Sequence, residues 1–259
     1  MATLFGWIGR LLGFAVLIAA LALGYLQQSC SCRRSTFSAM LRGRKDDTPW
    51  TRDVVCPHIR AAAGPDGIRG TVVDVGTGAG VTLFCYQNYS AAIDRLVLVE
   101  PLAEFGDDLR RKIKQYGLEG KAEIVPRIPT WVLEEGKADL VVSVHLLCSV
   151  DEDVLPQLLT EIGIALRPNG AGKYAAIDHT TAPEGTWVRF GQRIIAPIWF
   201  IIGNGCKFLD IPPLYSGLVA ERARVAVDQE AFSYPLLPWV YFIYPHAKMV
   251  GTSLAGAAV

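Results

Sequence analysis

A short apolar strand that leads directly into three alternating glycines is the feature that most restricts the fold of this chain. Residues 72–75 read Val-Val-Asp-Val, and Gly76, Gly78 and Gly80 follow them. Glycines at such positions let the backbone turn tightly and approach a ligand where a Cβ atom would collide. A dinucleotide-binding fingerprint requires the spacing G-x-G-x-x-G, but Val81 stands where its last glycine belongs. The pattern therefore predicts a strand, a tight turn and a helix around a different ligand.

Short runs rich in β-branched residues alternate with segments of helical spacing over the rest of the chain. The runs lie at 71–75, 95–99, 122–125, 138–144 and 173–178. Segments 103–116 and 152–166 have the spacing of helices, and 222–229 with 244–251 is expected to form a closing strand pair. Because nearly continuous apolar strands between helices are typical of parallel sheets covered on both faces, we expect an α/β domain.

The composition excludes a disordered chain and argues against a nucleic-acid binder. Apolar residues make up 51% of the 259 residues, charged residues make up 19%, and the mean hydropathy is +0.28. Such a chain buries enough apolar surface to fold. The net charge is zero, but residues 1–45 carry six basic side chains and no acid, so that residues 46–259 carry 19 basic against 25 acidic side chains. An acidic domain attracts a phosphate backbone poorly.

The N-terminal residues predict a membrane anchor at 1–26 and a basic linker at 27–48, ahead of a domain at 49–259. The anchor is apolar apart from Arg10, glycines and small side chains. As a helix, Leu4 to Leu26 would reach roughly 35 Å, which is enough to cross a bilayer core of about 30 Å. A shallow or hairpin insertion is the alternative, because Arg10 shortens the uninterrupted apolar run.

The charges that flank the anchor predict its orientation. Five basic residues follow it within the linker, so the positive-inside rule places the domain in the cytosol. The alternative is a cleaved signal peptide, which would deliver the domain to the secretory lumen. Asn88-Tyr89-Ser90 is a glycosylation sequon, and sugar on Asn88 would identify the lumenal case.

The six cysteines show no spacing typical of a metal site. None of them forms a C-x-x-C pair, and the chain has only four histidines. We therefore expect free thiols and no metal. Cys30 and Cys32 lie where an anchor meets a basic stretch, which is the setting for reversible palmitoylation, although two ordinary thiols at a membrane edge explain them equally well. Cys148 and Cys206 are expected to be buried structural thiols.

An acid at the end of the second predicted strand completes the pattern around the glycine turn. Glu100 follows Asp74 by 26 residues, and a carboxylate there accepts hydrogen bonds from both hydroxyls of a ribose. The sequence D-x-G-x-G-x-G with this acid resembles the first motif of class I S-adenosylmethionine-dependent methyltransferases. The resemblance implies S-adenosylmethionine as the cofactor, with Asp74 helping to orient its amino-acid part. The predicted cofactor-binding residues are Asp74, Gly76, Thr77, Gly78, Gly80, Glu100 and His145.

A series of short motifs follows in a fixed order. They are Ala138 to Val142, Leu147 to Val150, Leu166 to Gly170, Asp178-His179, Thr186-Trp187, Gln192, Pro197 to Trp199, Gly205-Cys206 and Pro245-His246. Together with the N-terminal anchor, the series resembles the membrane-anchored methyltransferase-like seven group. The resemblance implies an alkyl-thiol S-methyltransferase attached to the endoplasmic reticulum and lipid droplets. It also implies a doubly wound, mostly parallel, seven-stranded Rossmann-like sheet with an N-terminal anchor helix.

Among the departures of the chain from the pattern of that group, two lie near the expected cofactor and acceptor. The third predicted strand leads into Pro126 to Pro129, where small and acidic residues commonly lie near the adenine. His145 stands where an aliphatic residue is usual. The first departure bears on the adenine contacts and the second bears on the acceptor.

Two strand ends carry the residues expected to act on the acceptor. Methyl transfer from a sulfonium is an in-line displacement, for which a protein contributes proximity, alignment and exclusion of water and requires no metal. Ligands of open parallel sheets lie beyond the carboxyl ends of the strands, which here carry His145 and Asp178-His179. Our hypothesis is that His179 is the general base for a thiol, and that Asp178 orients it or binds substrate. In the alternative interpretation the pair is only the polar end of a strand.

The resemblance also gives the expected acceptor and partners. A small lipophilic thiol is the expected acceptor, with membrane lipid contacted through the anchor and no nucleic acid. A lipid or quinone oxygen or carbon is the first alternative acceptor, and an inactive membrane-bound adaptor is the second alternative function. Residues 186–203 contain an apolar stretch interrupted by Pro197, which is either a lid over the acceptor or a buried core helix. Trp187, Trp199 and Phe200 accordingly line an acceptor pocket or belong to the core.

Overall fold

The computed structural model describes residues 15–22, 24–25, 30–43, 45–234, 243 and 245–254. Within them, one sheet is built from β1 (Gly70–Val75), β2 (Ile93–Val99), β3 (Ala122–Val125), β4 (Leu140–Val144), β5 (Lys173–His179), β6 (Val225–Ser233) and β7 (Pro245–Ser253). The strand order is β3-β2-β1-β4-β5-β7-β6. Strands β1 to β5 run parallel, and β7 runs antiparallel to both β5 and β6. The expected doubly wound, mostly parallel seven-stranded sheet is confirmed.

Helices connect the strands. They are α1 (Cys30–Leu41), α2 (Cys56–Ala63), α3 (Leu83–Tyr86), α4 (Gly106–Gln115), α5 (Thr130–Glu135), α6 (Leu155–Ala165), α7 (Trp187–Ile202), α8 (Ile211–Leu214) and α9 (Ala220–Arg222). Short 3-10 turns occupy Gln87–Tyr89 and Ala103–Phe105, and π-helical turns occupy Thr51–Val55 and Tyr215–Val219. Local sequence sets several ends. Pro156 starts α6 at a position where its missing N–H does no harm, and the Thr186 hydroxyl caps α7 by accepting the N–H of Arg189 at 3.2 Å.

Apolar side chains cover both faces of the sheet. Val73 and Val141 face one layer, where they pack with Leu159 of α6. Val72 faces the other layer with Ile59 of α2. Successive strand residues point to opposite faces, so a run such as 72–75 needs apolar side chains throughout. This two-sided burial explains why the strand runs in the sequence do not alternate in polarity.

The predicted linker at 27–48 is partly folded into the domain. It contains α1, whose Phe37 ring meets that of Phe105 edge-on at a centroid distance of 5.9 Å. Asp46 is buried, pairs with the buried Lys112 and accepts a hydrogen bond of 2.7 Å from the Tyr116 hydroxyl. A buried ion pair needs such additional hydrogen bonds to be tolerated. The folded domain therefore begins earlier than residue 49.

The predicted anchor at 1–26 lies largely outside the described residues. Residues 15–22 are helical, and Val16, Leu17, Ile18 and Leu21 are exposed. Across the portion of the chain that the structure describes, no helix has both the length and the apolar character needed to cross a membrane. The anchor stays a prediction.

The expectation that all six cysteines are free is wrong for Cys56 and Cys85, which form a disulfide. Cys56 starts α2 and Cys85 lies in α3, and their Cα atoms are 5.0 Å apart, which is within the range that a disulfide spans. The two residues are 29 positions apart in the sequence, and this spacing carries no signal of its own. Cys148 and Cys206 are free and buried.

Candidate active site

The three glycines after β1 have distinct structural roles. All have positive φ, at 72° for Gly76, 56° for Gly78 and 77° for Gly80. A Cβ atom on Gly76 would lie 2.7 Å from a methyl carbon of Leu146, and one on Gly80 would lie 2.8 Å from a methyl carbon of Leu109. A Cβ on Gly78 would meet only the Gly76 carbonyl oxygen, at 4.0 Å. Packing therefore requires the outer glycines, whereas the middle one faces open space that a ligand can enter.

Glu100 lies beside the middle glycine, as expected from the strand-end pattern. Its Oε2 accepts the N–H of Gly78 at 2.7 Å, and its Oε1 accepts the N–H of Leu102 at 2.8 Å. Burial raises the pKa of this carboxyl group, and the two N–H donors oppose the shift. Each carboxylate oxygen has two lone pairs, so both can still accept a ribose hydroxyl proton. The position and the bonding of Glu100 fit a ribose clasp.

Asp74 holds the glycine loop from within the core. Its Oδ2 accepts hydrogen bonds from the hydroxyls of Thr82, at 2.5 Å, and Tyr86, at 2.8 Å. Burial raises its pKa to about 6. The Thr77 hydroxyl also donates to the Asp74 carbonyl oxygen at 2.9 Å. The Asp74 carboxylate therefore ties the end of β1 to the segment around α3, and its expected contact with the amino-acid part of the cofactor stays a prediction.

Three histidines from neighbouring strand ends form a cluster (His145, His179, His246). His145 follows β4, His179 ends β5, and His246 pairs with His179 across the antiparallel β5 and β7. The ring centroids of His145 and His179 are 4.1 Å apart, and those of His179 and His246 are 4.6 Å apart. Trp50 covers the cluster, with its ring centroid 4.6 Å from that of His246. Leu146, next to His145, contacts Gly76, so the cluster adjoins the glycine loop.

Burial keeps two of these imidazoles, those of His145 and His179, uncharged. It lowers the pKa of His145 to about 3 and the pKa of His179 well below its usual value, and the neighbouring histidines lower both further. At neutral pH both rings are therefore unprotonated. A strongly lowered pKa also makes His179 a weak acceptor for the proton of a thiol, whose ordinary pKa is about 8.5. The hypothesis that His179 is the general base stays a prediction, and this environment works against it.

Asp178 is directed away from the His179 ring. The two are successive residues of β5, so their side chains point to opposite faces of the sheet. Asp178 Oδ1 accepts the N–H of Cys148 at 3.3 Å, and Oδ2 accepts the hydroxyl proton of Tyr215 at 3.0 Å. Burial raises the pKa of Asp178 to about 6. The contacts show Asp178 positioning the loop of Cys148, which differs from the expected role of orienting His179.

Two free cysteines converge on His179. Cys148 follows β4, Cys206 follows α7, and their Sγ atoms are 2.8 Å apart. His179 Nδ1 lies 3.9 Å from the Cys148 sulfur and 3.6 Å from the Cys206 sulfur. Both cysteines belong to motifs in the sequence, but their contact could not be predicted, because 58 residues separate them. Trp50 was missed because it precedes the first strand and carries no motif.

Helix α7 has one face on the site and one face exposed. Its Trp199 ring meets His179 edge-on at 5.3 Å, and the buried Gln192 amide bonds the backbone of Thr180 and Ala182. The opposite face presents a row of exposed apolar residues, namely Trp187, Phe190, Ile194 and Ile198. A helix buried on all sides is therefore wrong for 186–203, whereas a role as a lid stays a prediction.

The sheet order, the glycine loop after β1 and the acid after β2 are features of the class I S-adenosylmethionine-dependent methyltransferase fold. S-adenosylmethionine is the cofactor, and the open space at Gly78 beside Glu100 lets a ligand approach the loop. Residues 72–170 match the family described as "Methyltransferase domain". That range holds the glycine loop, Glu100 and the loop that carries His145 and Cys148.

Among named relatives, the chain is similar to two human thiol S-methyltransferases. It is 27% identical to "Thiol S-methyltransferase TMT1A" over 152 residues, which are 58% of this chain and 59% of the relative. It is 35% identical to "Thiol S-methyltransferase TMT1B" over 74 residues, which are 29% of each protein. These matches support a methyltransferase of the TMT1 type, and they span less than two thirds of the relatives' length.

Solved structures share the fold. An O-methyltransferase family protein from Burkholderia thailandensis aligns with a TM-score of 0.58 at 16% identity, covering 82% of this chain and 59% of that one. A geranyl diphosphate methyltransferase in complex with GPP and sinefungin aligns with a TM-score of 0.56 at 16% identity, covering 78% and 77%. At such identity the likeness concerns the fold alone.

Proposed function

We propose that this protein transfers the methyl group of S-adenosylmethionine to small lipophilic thiols at a membrane. The observation that carries the proposal is the buried cluster of imidazole, thiol and indole groups around His179, which adjoins the glycine loop through Leu146. The similarity to TMT1A and TMT1B, both named thiol S-methyltransferases, supports the choice of a thiol.

One group of residues holds the cofactor, and a second group surrounds the acceptor. The cofactor supplies an electrophilic methyl group on a sulfonium. The loop at Gly78 and the carboxylate of Glu100 hold it, while Asp74 keeps the loop in place. The Trp50 and Trp199 rings enclose the acceptor side and exclude water. Proximity and alignment in a dry pocket are the main contributions that an in-line displacement requires.

The electrostatics of the pocket favour a thiol over a hydroxyl acceptor. A thiol is already a few per cent thiolate at neutral pH, whereas a hydroxyl group depends on a strong base. The two imidazoles nearest the strand ends, His145 and His179, have lowered pKa values and do not supply such a base. A soft, readily ionised sulfur nucleophile therefore suits this site better than a lipid or quinol oxygen.

An acceptor panel tests the proposal. The purified full chain is incubated with S-adenosylmethionine labelled in its methyl group and with alkyl thiols of increasing chain length, or with quinols. We expect labelled thioethers, with kcat/KM rising with chain length. Labelled quinol ethers without thioethers would favour the alternative acceptor. Saturable cofactor binding by calorimetry without transfer to either class would favour the inactive adaptor.

The membrane context is part of the proposal. We propose that residues 1–26 attach the chain to the endoplasmic reticulum or to lipid droplets, with the domain facing the cytosol. Exposed apolar residues at 15–22 and on α7, and the basic residues after the apolar segment, support membrane contact and this orientation. The Cys56–Cys85 disulfide instead favours a domain in the secretory lumen, because disulfides are typical of oxidising compartments. The presence or absence of sugar on Asn88 distinguishes a lumenal domain from a cytosolic one.

A further inference from the structure

Three buried ligand atoms meet at the carboxyl ends of β4 and β5. They are the Sγ of Cys148, the Nδ1 of His179 and the Sγ of Cys206, and they lie within 4.8 Å of one another. The three residues are 0%, 8% and 4% exposed. We infer that this thiol–imidazole cluster (Cys148, His179, Cys206) binds one zinc ion.

The distances fit tetrahedral coordination after a small adjustment. With Zn–S near 2.3 Å and Zn–N near 2.0 Å, tetrahedral ligands lie about 3.8 Å apart for two sulfurs and about 3.5 Å apart for sulfur and nitrogen. The two Sγ–Nδ1 distances are 3.9 and 3.6 Å. The two sulfurs, at 2.8 Å, must separate by about 1 Å. Small side-chain rotations of the two cysteines supply that distance.

Backbone contacts hold the two cysteine loops together. The N–H of Lys207, next to Cys206, donates to the carbonyl oxygen of Cys148 at 2.7 Å. The N–H of Cys148 is in turn held by Asp178 at 3.3 Å. Hydrogen bonds around a metal site help to orient the residues that bind the metal. The cluster is thus fixed by the fold as well as by the three side chains.

Unpartnered nitrogen atoms surround the same cluster. Among the described residues, Nε1 of Trp199 and Nε2 of His145 are buried without a hydrogen-bond partner. Both rings contact His179, at centroid distances of 5.3 and 4.1 Å. Buried polar atoms are normally satisfied, so two such atoms beside one residue indicate that a polar ligand or water completes this pocket.

The histidine cluster is a poorer metal site than the thiol–imidazole cluster. The ligand nitrogens of His145, His179 and His246 also lie within 4.8 Å of one another, but the rings of His145 and His179 are stacked face to face, with an interplanar angle of 20°. Two thiolates also give the cluster the soft donors that select zinc over magnesium or calcium. The site could not be predicted from residue spacing, because the three ligands come from separate segments and lack a zinc-finger spacing.

The site would activate the acceptor, an inference that rests on the proposed function. Three protein ligands leave the fourth position of zinc open, as in catalytic zinc sites. The acceptor thiol binds there through sulfur and releases its proton to water, because coordination deprotonates a thiol. A sulfur lone pair then forms the new bond to the methyl carbon. The bond from that carbon to the sulfonium breaks, its electron pair remains on the sulfur of S-adenosylhomocysteine, and the neutral thioether dissociates from the metal.

Metal analysis of the full chain tests the site without reference to turnover. Protein purified with reductant is measured by inductively coupled plasma mass spectrometry, and a Co²⁺-loaded sample is measured for thiolate-to-cobalt absorption. We expect about one zinc per chain, and tetrahedral Co²⁺ bands that Cys206→Ser abolishes. The double variant Cys56→Ser/Cys85→Ser removes two sulfur atoms that lie outside the proposed site and should keep its zinc. S-adenosylmethionine binding by each variant confirms folding.

The outcomes separate this inference from the proposed function. Wild-type protein that binds neither Zn²⁺ nor Co²⁺, or in which Cys148 and Cys206 form a disulfide despite reductant, overturns the site. Thiol methylation that is unchanged after chelation overturns the catalytic role of zinc and leaves the proposed function standing. Stoichiometric zinc without thiol methylation leaves the site standing and refutes both the proposed function and the role of zinc in it.

Discussion

The N–H of Gly78 donates a hydrogen bond of 2.7 Å to Oε2 of Glu100, which joins the turn after β1 to the acid after β2. The two strands are neighbours in the sheet, with Val75 opposite Val99, so the fold itself brings the two residues together. A ligand that lies over Gly78 therefore meets the Glu100 carboxylate directly. Two predictions depend on this relationship.

Glu100→Gln should weaken cofactor binding. The Gln side chain has one carbonyl oxygen for the two N–H donors that Glu100 now accepts, and its NH₂ group faces one of them. We expect the Kd for S-adenosylmethionine, measured by calorimetry, to rise at least about tenfold, which is about 1.4 kcal/mol. The exposed Glu104→Gln makes the same charge change nearby and should bind normally. Equal affinities for both variants would contradict a ribose clasp at Glu100.

Gly78→Ala should also weaken cofactor binding, because it adds a Cβ atom to the loop. The new Cβ would enter the open space above the loop, and the positive φ of 56° adds backbone strain of roughly 1–2 kcal/mol. Gly117→Ala is the matched control, because Gly117 has φ of 65° and nothing within 4 Å of its Cβ position. We expect similar losses in the free energy of unfolding for both variants, and loss of cofactor binding for Gly78→Ala alone. Normal binding by Gly78→Ala would show that the cofactor does not approach this position.

Local patterns in the sequence were sufficient to predict the parallel strands and the glycine turn. The apolar run 72–75 and the glycines after it lie within one strand and one turn, so their roles follow from local chemistry. Glu100 was predicted because the end of the second parallel strand must lie next to the end of the first. These features depend on neighbouring residues or on the general geometry of a parallel sheet.

Contacts between distant segments could not be predicted in this way. Cys148 meets Cys206 across 58 positions, and Lys112 meets Asp46 across 66 positions. The Asp46 contact depends on how the segment before β1 packs on α4. The hydrophobic pattern of the sequence does not predict this packing. The same is true of the Cys56–Cys85 disulfide, since helix packing alone sets the distance between its two residues.

Asp74→Asn should change how stability depends on pH. Burial raises the pKa of Asp74 from 3.8 to about 6, so the folded protein binds this proton more tightly than the unfolded chain. The stabilisation that results from this bound proton is fully present below pH 3.8 and is lost as the pH rises through about 6. An Asn oxygen at the same place still accepts the Thr82 and Tyr86 hydroxyls and never becomes charged.

The variant should therefore gain about 3 kcal/mol relative to the wild type between pH 4 and pH 7. Urea unfolding across this range measures the difference in the free energy of unfolding. The exposed Asp94→Asn is the control for the loss of one negative charge, and its curve should run parallel to that of the wild type. A constant difference between Asp74→Asn and the wild type would show that Asp74 is not buried in its charged form at neutral pH.

Removal of the Cys56–Cys85 disulfide should lower stability by about 3–4 kcal/mol, the loop-closure value for a separation of 29 residues. The double variant Cys56→Ser/Cys85→Ser, compared with the wild type by urea unfolding, measures this loss. Dithiothreitol should lower the stability of the wild type to that of the variant and leave the variant unchanged. Equal stability of the two oxidised proteins would mean that the bond does not form in solution.

Asn88 should carry no sugar in the native chain when it is expressed in a eukaryotic cell. The residue is exposed in the turn Gln87–Tyr89, so a transferase in the secretory lumen would reach it once the domain was translocated. In the proposed orientation, which rests on the positive-inside rule, the domain lies in the cytosol, where that transferase is absent. A chimera with a cleavable secretory signal before residue 30 is the positive control. Its mobility should shift on endoglycosidase treatment, and Asn88→Gln should abolish the shift. A shift in the native chain would place the domain in the lumen, which is the compartment that the Cys56–Cys85 disulfide favours.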